Sequence, residues 1–166
     1  NAECSAELKV QLMKILATAT GSSGMCGGQQ LDIDSSQQKI SLEALQRLHA
    51  MKTGALIEAS VNMGALIANA NASEREALSA FGADLGLAFQ IQDDILDIES
   101  NTETLGKSAG KDVAQEKSTY PALLGLDASK ALLNKLIDRM RSNLLPFGSQ
   151  ADALKALADF AVNRDN

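Results

Sequence analysis

Proline is scarce, with two in 166 residues. Long stretches are therefore free to be helical, and Ala, Leu, Ile, Met, Glu, Gln and Lys fill them. Cysteine is as scarce. Cys4 and Cys26 cannot build a disulfide framework and no CxxC pair occurs, which points to a reducing, cytoplasmic setting. A single histidine, His49, excludes a multi-histidine metal site. Because Gln46 stands three residues before it, the Glu-x-x-His pairs of a carboxylate-bridged di-iron bundle are excluded as well. A basic surplus is missing: 15 Lys and Arg face 21 Asp and Glu, a net charge of −6, which argues against a nucleic-acid module. No uninterrupted apolar run of membrane length exists either. The most apolar stretch, Gly54 to Ala72, is broken by Glu58, Asn62 and Asn69, and no secretory leader pattern opens the chain. Aromatics make up 3% of the residues, with no tryptophan and one tyrosine.

What is present is 45% apolar residues with mixed charges, enough for one sizeable core and too apolar for disorder. Leu8, Leu12, Ile15 and Leu16 form a helical stripe in a segment from Ala2 to about Ala19. Gly21 to Gly28 reads as a flexible or closely packed turn, and Asp32 to Gln38 as an acidic surface loop. Ser41 is placed to cap a helix from Leu42 toward Ala70, in one piece or two. Ser73 and Glu76 fit a capping box for a helix running to about Ile98. Glu99 to Thr119 carries no helical stripe. Pro121 suits the first turn of the next helix, and two further helices are expected over Asp127–Leu145 and Ser149–Arg164. No strand-period alternation and no internal repeat occur, so the expected class is all-α. Gly54–Ala70 and Phe81–Ile98 are apolar on most of their surface and are expected to be central and buried.

Polar residues on those two helices are the candidates for chemistry. Asp93 and Asp97 share a helical face, and Asp94 is turned by about a third of a circle. Like charges so spaced repel, and burying them unpaired costs more than the repulsion itself. Carboxylate oxygens of this kind suit a hard divalent cation such as magnesium, while an acidic helix end projecting into solvent is the other reading, supported by Glu99. Lys52 and Thr53 break an apolar face, where the lysine is either a snorkelling or paired residue or a phosphate ligand. Gln90 lies one turn before Asp93. The stretch Leu105-Gly106-Lys107-Ser108 is not a phosphate-binding P-loop, because the required earlier glycine falls on Asn101.

Taken together, several stretches resemble the trans-isoprenyl diphosphate synthases. They are Gly24-Met25-Cys26-Gly27-Gly28-Gln29, His49-Ala50-Met51-Lys52-Thr53-Gly54, Gly86-Leu87-Ala88-Phe89-Gln90-Ile91-Gln92-Asp93-Asp94-Ile95-Leu96-Asp97, Leu105-Gly106-Lys107 and Lys117-Ser118-Thr119-Tyr120-Pro121. Their order and spacing extend the likeness to Asn163-Arg164, and the bacterial farnesyl-forming members are the most alike. The resemblance implies an all-α bundle of the isoprenoid synthase type, of which residues 1–166 would be the C-terminal half. It implies condensation of isopentenyl diphosphate with an allylic diphosphate in a cytoplasmic homodimer. Asp93, Asp94 and Asp97 would form the second aspartate-rich motif and hold Mg2+. Lys52, Lys107 and Lys117 would bind the allylic diphosphate, and Thr53 and Gln90 would face the allylic carbon.

The family's first aspartate-rich motif has no counterpart, since Asp32 and Asp34 are read in a loop and no Arg-Arg pair occurs. The N-terminal half of the site, with the isopentenyl diphosphate ligands, is therefore expected to be a missing partner piece, and this chain alone to lack synthase activity. A geranylgeranyl or longer-chain synthase is the alternative within the class. A noncatalytic helical partner subunit is the alternative outside it.

Overall fold

The computed structural model describes residues 5–36, 38–105 and 118–163. Among the described residues there is no strand, and the expected all-α class holds. The helices are α1 (Ala6–Thr20), α2 (Met25–Asp34), α3 (Leu42–His49), α4 (Ala55–Ile67), α5 (Ala72–Leu105), α6 (Tyr120–Leu124), α7 (Leu126–Leu144) and α8 (Asp152–Asn163). A wider, π-helical turn at Ala50–Gly54 joins α3 to α4, so the expected long helix is continuous but changes pitch midway.

Local chemistry explains most of the boundaries. Ser5 and Ser41 cap α1 and α3, their hydroxyls accepting from the N–H of Leu8 and Ala44, each at 3.2 Å. Asn69, with φ of 55°, ends α4 in the left-handed region that Asn tolerates better than most residues. The capping box of α5 then forms two residues earlier than expected. Asn71 Oδ1 accepts from Glu74 N–H at 3.0 Å, and Glu74 Oε2 accepts from Asn71 N–H at 2.7 Å. The Ser73–Glu76 pair is instead already inside the helix. Thr119 caps α6 with Pro121 in its first turn, as the sequence suggests.

Other expectations are corrected. Gly27 and Gly28 lie within α2 and not in a turn, and Asp32 to Asp34 complete that helix where a loop was expected. Helix α5 passes Ile98 and continues to Leu105, so Glu99 begins no loop and the aspartates sit well inside a helix. Glu99 itself pairs with Lys130 of α7 at 2.6 Å. The last helix starts at Asp152 instead of Ser149, because a tight 3-10 stretch over Leu145–Ala151, with Gly148 at φ 56°, carries the chain around the corner.

The core forms where α5 meets α4 on one side and α7 on the other. Phe81, Leu85, Ala88, Ile91 and Ile95 line the buried side of α5, with Leu136, Met140 and Leu144 opposite on α7. Helix α5 is thus as central as its apolar sequence implies. Helix α4 is not: Ala59 and Ala65 are buried, but Ile67 is 46% exposed and much of the rest half-covered. On α1, Leu8, Leu12 and Ile15 turn partly inward while Val10, Met13 and Leu16 face outward. Among the described residues no helix is long and apolar enough to cross a membrane.

One charge is buried between α5 and α7. Asp84 Oδ1 accepts from Arg139 Nη2 at 2.8 Å, the aspartate enclosed and the arginine two-thirds exposed. Burial raises the Asp84 carboxyl above its ordinary range and Arg139 only partly opposes it. Protonation is therefore easier in the folded chain than in the unfolded one, and the stability this group contributes at low pH is lost as pH rises through its raised value. Arg139→Met leaves an unpaired buried carboxylate at neutral pH. Discounted for the exposure of the arginine, the expected cost at pH 7 is about 1–3 kcal/mol. In urea melts that cost should shrink toward pH 4, and an equal cost at both values would exclude a role for the Asp84 charge.

Candidate functional site

The π-helical turn at Ala50–Gly54 carries Lys52 and Thr53, and glycines grip it from two sides. On α2, a Cβ at Gly28 would overlap the Lys52 amide nitrogen and lie 2.7 Å from the Met51 carbonyl carbon. On α5, a Cβ at Gly86 would lie 2.7 Å from Gly54 Cα. Both distances are below any real van der Waals approach, so only the missing side chains allow these crossings. The turn is therefore held by backbone contact, and its register against α2 and α5 is set by the glycines.

Gly86 begins a stripe along α5. Gln90, Asp93 and Asp97 come after it at spacings of four, three and four, which keeps all four on one helical face. The face meets the turn bearing Lys52 and Thr53 at its first residue, where Gly86 lies against Gly54. Gln90 and Asp93 are half-buried and Asp97 is exposed, so the stripe opens from the interior toward solvent. Gln90 Nε2 donates to Asp93 Oδ2 at 3.4 Å. Asp94 is rotated away by about 100°. It is only 8% exposed, and its Oδ2 accepts from the backbone N–H of Tyr120 at 2.9 Å.

Lys52 does not stand alone on its turn. Its Nζ pairs with Asp32 Oδ2 at 2.6 Å, both side chains about one-third exposed. Asp32 escapes a reading of the sequence that puts it in a loop. The available signal is its spacing of four from Gly28, which puts both on one face of a helix once α2 is recognised. Tyr120 and His49 escape it too. Tyr120 is fully buried, and its ring lies 5.6 Å from the His49 ring at a 44° tilt. Burial and the neighbouring Asp94 charge push its phenol well above the ordinary tyrosine range. Its hydroxyl has no hydrogen-bond partner among the described residues.

The expected diphosphate ligands Lys107 and Lys117 lie outside the described residues. Among the described residues no three His, Cys, Asp or Glu side chains converge as a metal site. Asp93 and Asp97 nevertheless supply oxygen donors only, on an open helical face. Such a donor set fits magnesium, which is commonly held by one or two carboxylates with waters and phosphate oxygens completing its shell.

Comparison with known proteins places the chain in a family. A family model described as polyprenyl synthetase matches residues 2–146. The farnesyl diphosphate synthase of Escherichia coli is 45% identical over 161 residues, covering 95% of this chain and 54% of that protein. The geranylgeranyl diphosphate synthase of Cyanophora paradoxa is 41% identical, covering 97% of this chain and 54% of its own length. Among solved structures, a Helicobacter pylori geranyltransferase complexed with magnesium and isoprenyl diphosphate superposes with a TM-score of 0.70 at 32% identity, over 98% of this chain and 52% of that one. The chain spans about half the length of the curated relatives it matches.

The glycine contacts make a contrast that urea melts can check. Gly28→Ala and Gly86→Ala should each cost about 1–3 kcal/mol through overpacking. Gly64→Ala, where a Cβ meets nothing within 4 Å, should instead add about 0.5–1 kcal/mol from helix propensity. Stabilisation by all three would mean that the turn is not gripped. Tyr120→Phe removes an unpartnered buried hydroxyl and should leave stability unchanged or raise it by about 1 kcal/mol.

Proposed function

Since the chain belongs to the polyprenyl synthetase family, we propose that it provides the C-terminal half of a prenyltransferase active site. That site would join isopentenyl diphosphate to an allylic diphosphate, dimethylallyl or geranyl, to give farnesyl diphosphate. The observation that carries this reading is the crossing of Gly86 on Gly54, which joins the helical face bearing Gln90, Asp93 and Asp97 to the turn bearing Lys52 and Thr53. Carboxylates for a metal, an ammonium for a phosphate, and hydroxyl and amide oxygens for a carbocation are all borne on the two elements that meet there.

In the reaction, the carbon–oxygen bond of the allylic diphosphate breaks and both electrons leave with the diphosphate. The isopentenyl double bond then supplies the pair for the new carbon–carbon bond. Loss of a proton, taken by the released diphosphate, restores a neutral carbon chain. The Lys52 ammonium, oriented by Asp32, would hold diphosphate oxygens and stabilise the charge that accumulates there on ionisation. The Thr53 hydroxyl and Gln90 carbonyl would turn oxygen toward the allylic cation. Asp93 and Asp97 would hold Mg2+, which, when bound, offsets the diphosphate charge. Apolar side chains of α4 and α5 would keep water from the cation. Lys107 and Lys117 enter this reading from the family resemblance as further diphosphate ligands.

The exposed apolar residues of α1 and α4 support the half-site part of the reading, as surfaces for the rest of such a bundle and for a homodimer. Cys26, an exposed free thiol, fits a cytoplasmic setting. The geranylgeranyl-forming alternative keeps its place because a relative of that name matches the chain at least as fully as the farnesyl-forming one of Escherichia coli.

Thermal melts of the 166-residue chain with Mg2+ and inorganic pyrophosphate test the binding half of this reading. The melting temperature should rise only when both are present, by the equivalent of about 2.7 kcal/mol at a hundredfold excess over Kd. Asp93→Ala should abolish the rise, and Lys52→Ala should require roughly tenfold more pyrophosphate, about 1.4 kcal/mol of binding. No rise in the unmodified chain at millimolar ligand and metal would sink the reading. Incubated alone with isopentenyl and geranyl diphosphates, the same chain should form no farnesyl diphosphate, and turnover matching a full-length synthase would overturn its assignment as half a site.

A further inference from the structure

We propose that Asp94, unlike Asp93 and Asp97, is a positioning residue: its carboxylate ties the start of α6 to α5, and through the Tyr120–His49 contact it supports the turn that presents Lys52 and Thr53. The inference deepens the reading of Asp93 and Asp97 as metal-holding carboxylates and rests on it for their contrast with Asp94.

Three observations carry it. First, the three aspartates differ in surroundings although they are close in sequence. Asp93 is half-buried beside Gln90 and Asp97 is exposed, whereas Asp94 is enclosed. Second, Asp94 Oδ2 accepts from the Tyr120 N–H at 2.9 Å, across 26 residues of sequence. A buried carboxylate that accepts a backbone N–H makes a charge-assisted bond, which ties the orientation of the carboxyl group to the main chain of the segment it holds. Third, the segment it holds is secured on other sides too. Ser118 Oγ accepts from the Ile40 N–H at 3.1 Å, and the Thr119 hydroxyl accepts from the Ala122 N–H at 3.2 Å. Tyr120 is completely buried with its ring beside His49, the residue directly before the π-helical turn. Asp94, Tyr120 and His49 thus form a continuous line from α5 to the turn.

Asn is the informative substitution, because its amide oxygen can still accept the Tyr120 N–H while its charge is gone. The 166-residue chain is compared as wild type, Asp94→Asn, Asp94→Ala and Asp93→Asn. Three readouts are taken: Tyr120 amide hydrogen exchange, the His49 ring resonances, and Mn2+ affinity in the presence of inorganic pyrophosphate. Asp94→Asn should keep all three within about threefold or unshifted, whereas Asp94→Ala should speed Tyr120 exchange by roughly tenfold or more and move the His49 resonances. Asp93→Asn should leave Tyr120 and His49 unchanged and weaken Mn2+ binding by roughly tenfold or more. Loss of Mn2+ affinity in Asp94→Asn equal to that in Asp93→Asn would make Asp94 a ligand and overturn the proposal. Unchanged Tyr120 exchange in Asp94→Ala would overturn it as well. If wild type binds no Mn2+ with pyrophosphate, the metal-site reading fails, while the Tyr120 and His49 readouts still decide whether Asp94 supports the turn. Should Asp94→Ala fail to fold, retention of protection and Mn2+ affinity in Asp94→Asn still supports the proposal, and loss of either overturns it.

Discussion

Backbone touching backbone at two glycines is the contact on which the rest of this structure depends. Gly28 lets α2 lie directly on the amide of Lys52, and Gly86 lets α5 lie directly on Gly54. Helices separated by ordinary side chains sit about 8–10 Å apart and can adjust by changing rotamers. A contact with no side chain between has no such slack. The turn between α3 and α4 is therefore located by its neighbours' main chains, and the residues it carries inherit that definition. Asp32, one helical turn beyond Gly28, then takes the Lys52 amino group at 2.6 Å, so one face of α2 holds both the backbone and the charge of the same residue.

Helix α5 works as a partition. One side supplies the aliphatic core from Phe81 to Ile95, and the other presents Gln90, Asp93 and Asp97 in line with Gly86. Asp94 lies between these sides and is spared the cost of an unpaired buried carboxylate by the Tyr120 N–H. Asp84, nearer the start of the helix, meets the same problem with Arg139 reaching in from the surface of α7. Both charges fasten α5 to helices later in the chain, Asp94 to α6 through a main-chain donor and Asp84 to α7 through an ion pair.

The helical class was legible in the sequence, and so were Ser41 as a cap, Pro121 in a first turn and the one-face placement of Asp93 and Asp97. Each depends on local spacing, which a single sequence displays. The errors came where the same residues serve two physical ends. Gly27-Gly28 reads as a chain break because glycine is a poor helix former, yet here it is spent on a close crossing that only the partner helix reveals. Asn71–Glu74 and Ser73–Glu76 are both acceptable capping boxes, and the turn at Asn69 selects the first. Asp94 carries the same letter as Asp93, and only burial and a donor 26 residues away distinguish them. The half-covered state of α4 could not be read from its apolar composition, because composition reports what a helix can bury and not what lies against it.

The π-helical turn also changes what an insertion or deletion can do. Such a turn holds one more residue than the α-helix would need to cover the same length. Removing one residue from Ala50–Gly54 would let α3 run into α4 as ordinary helix, with the hydrogen-bond ladder intact. Beyond the deletion the chain would keep its direction and phase, because the wide turn spends five residues on about the rotation that four spend in an α-helix. Gly54 could still meet Gly86, and only the residues between His49 and Gly54 would be redistributed. The extra residue therefore sets where Lys52 and Thr53 point while α4 packs as before, so a one-residue deletion here would change the chemistry of the site inside a fold otherwise kept.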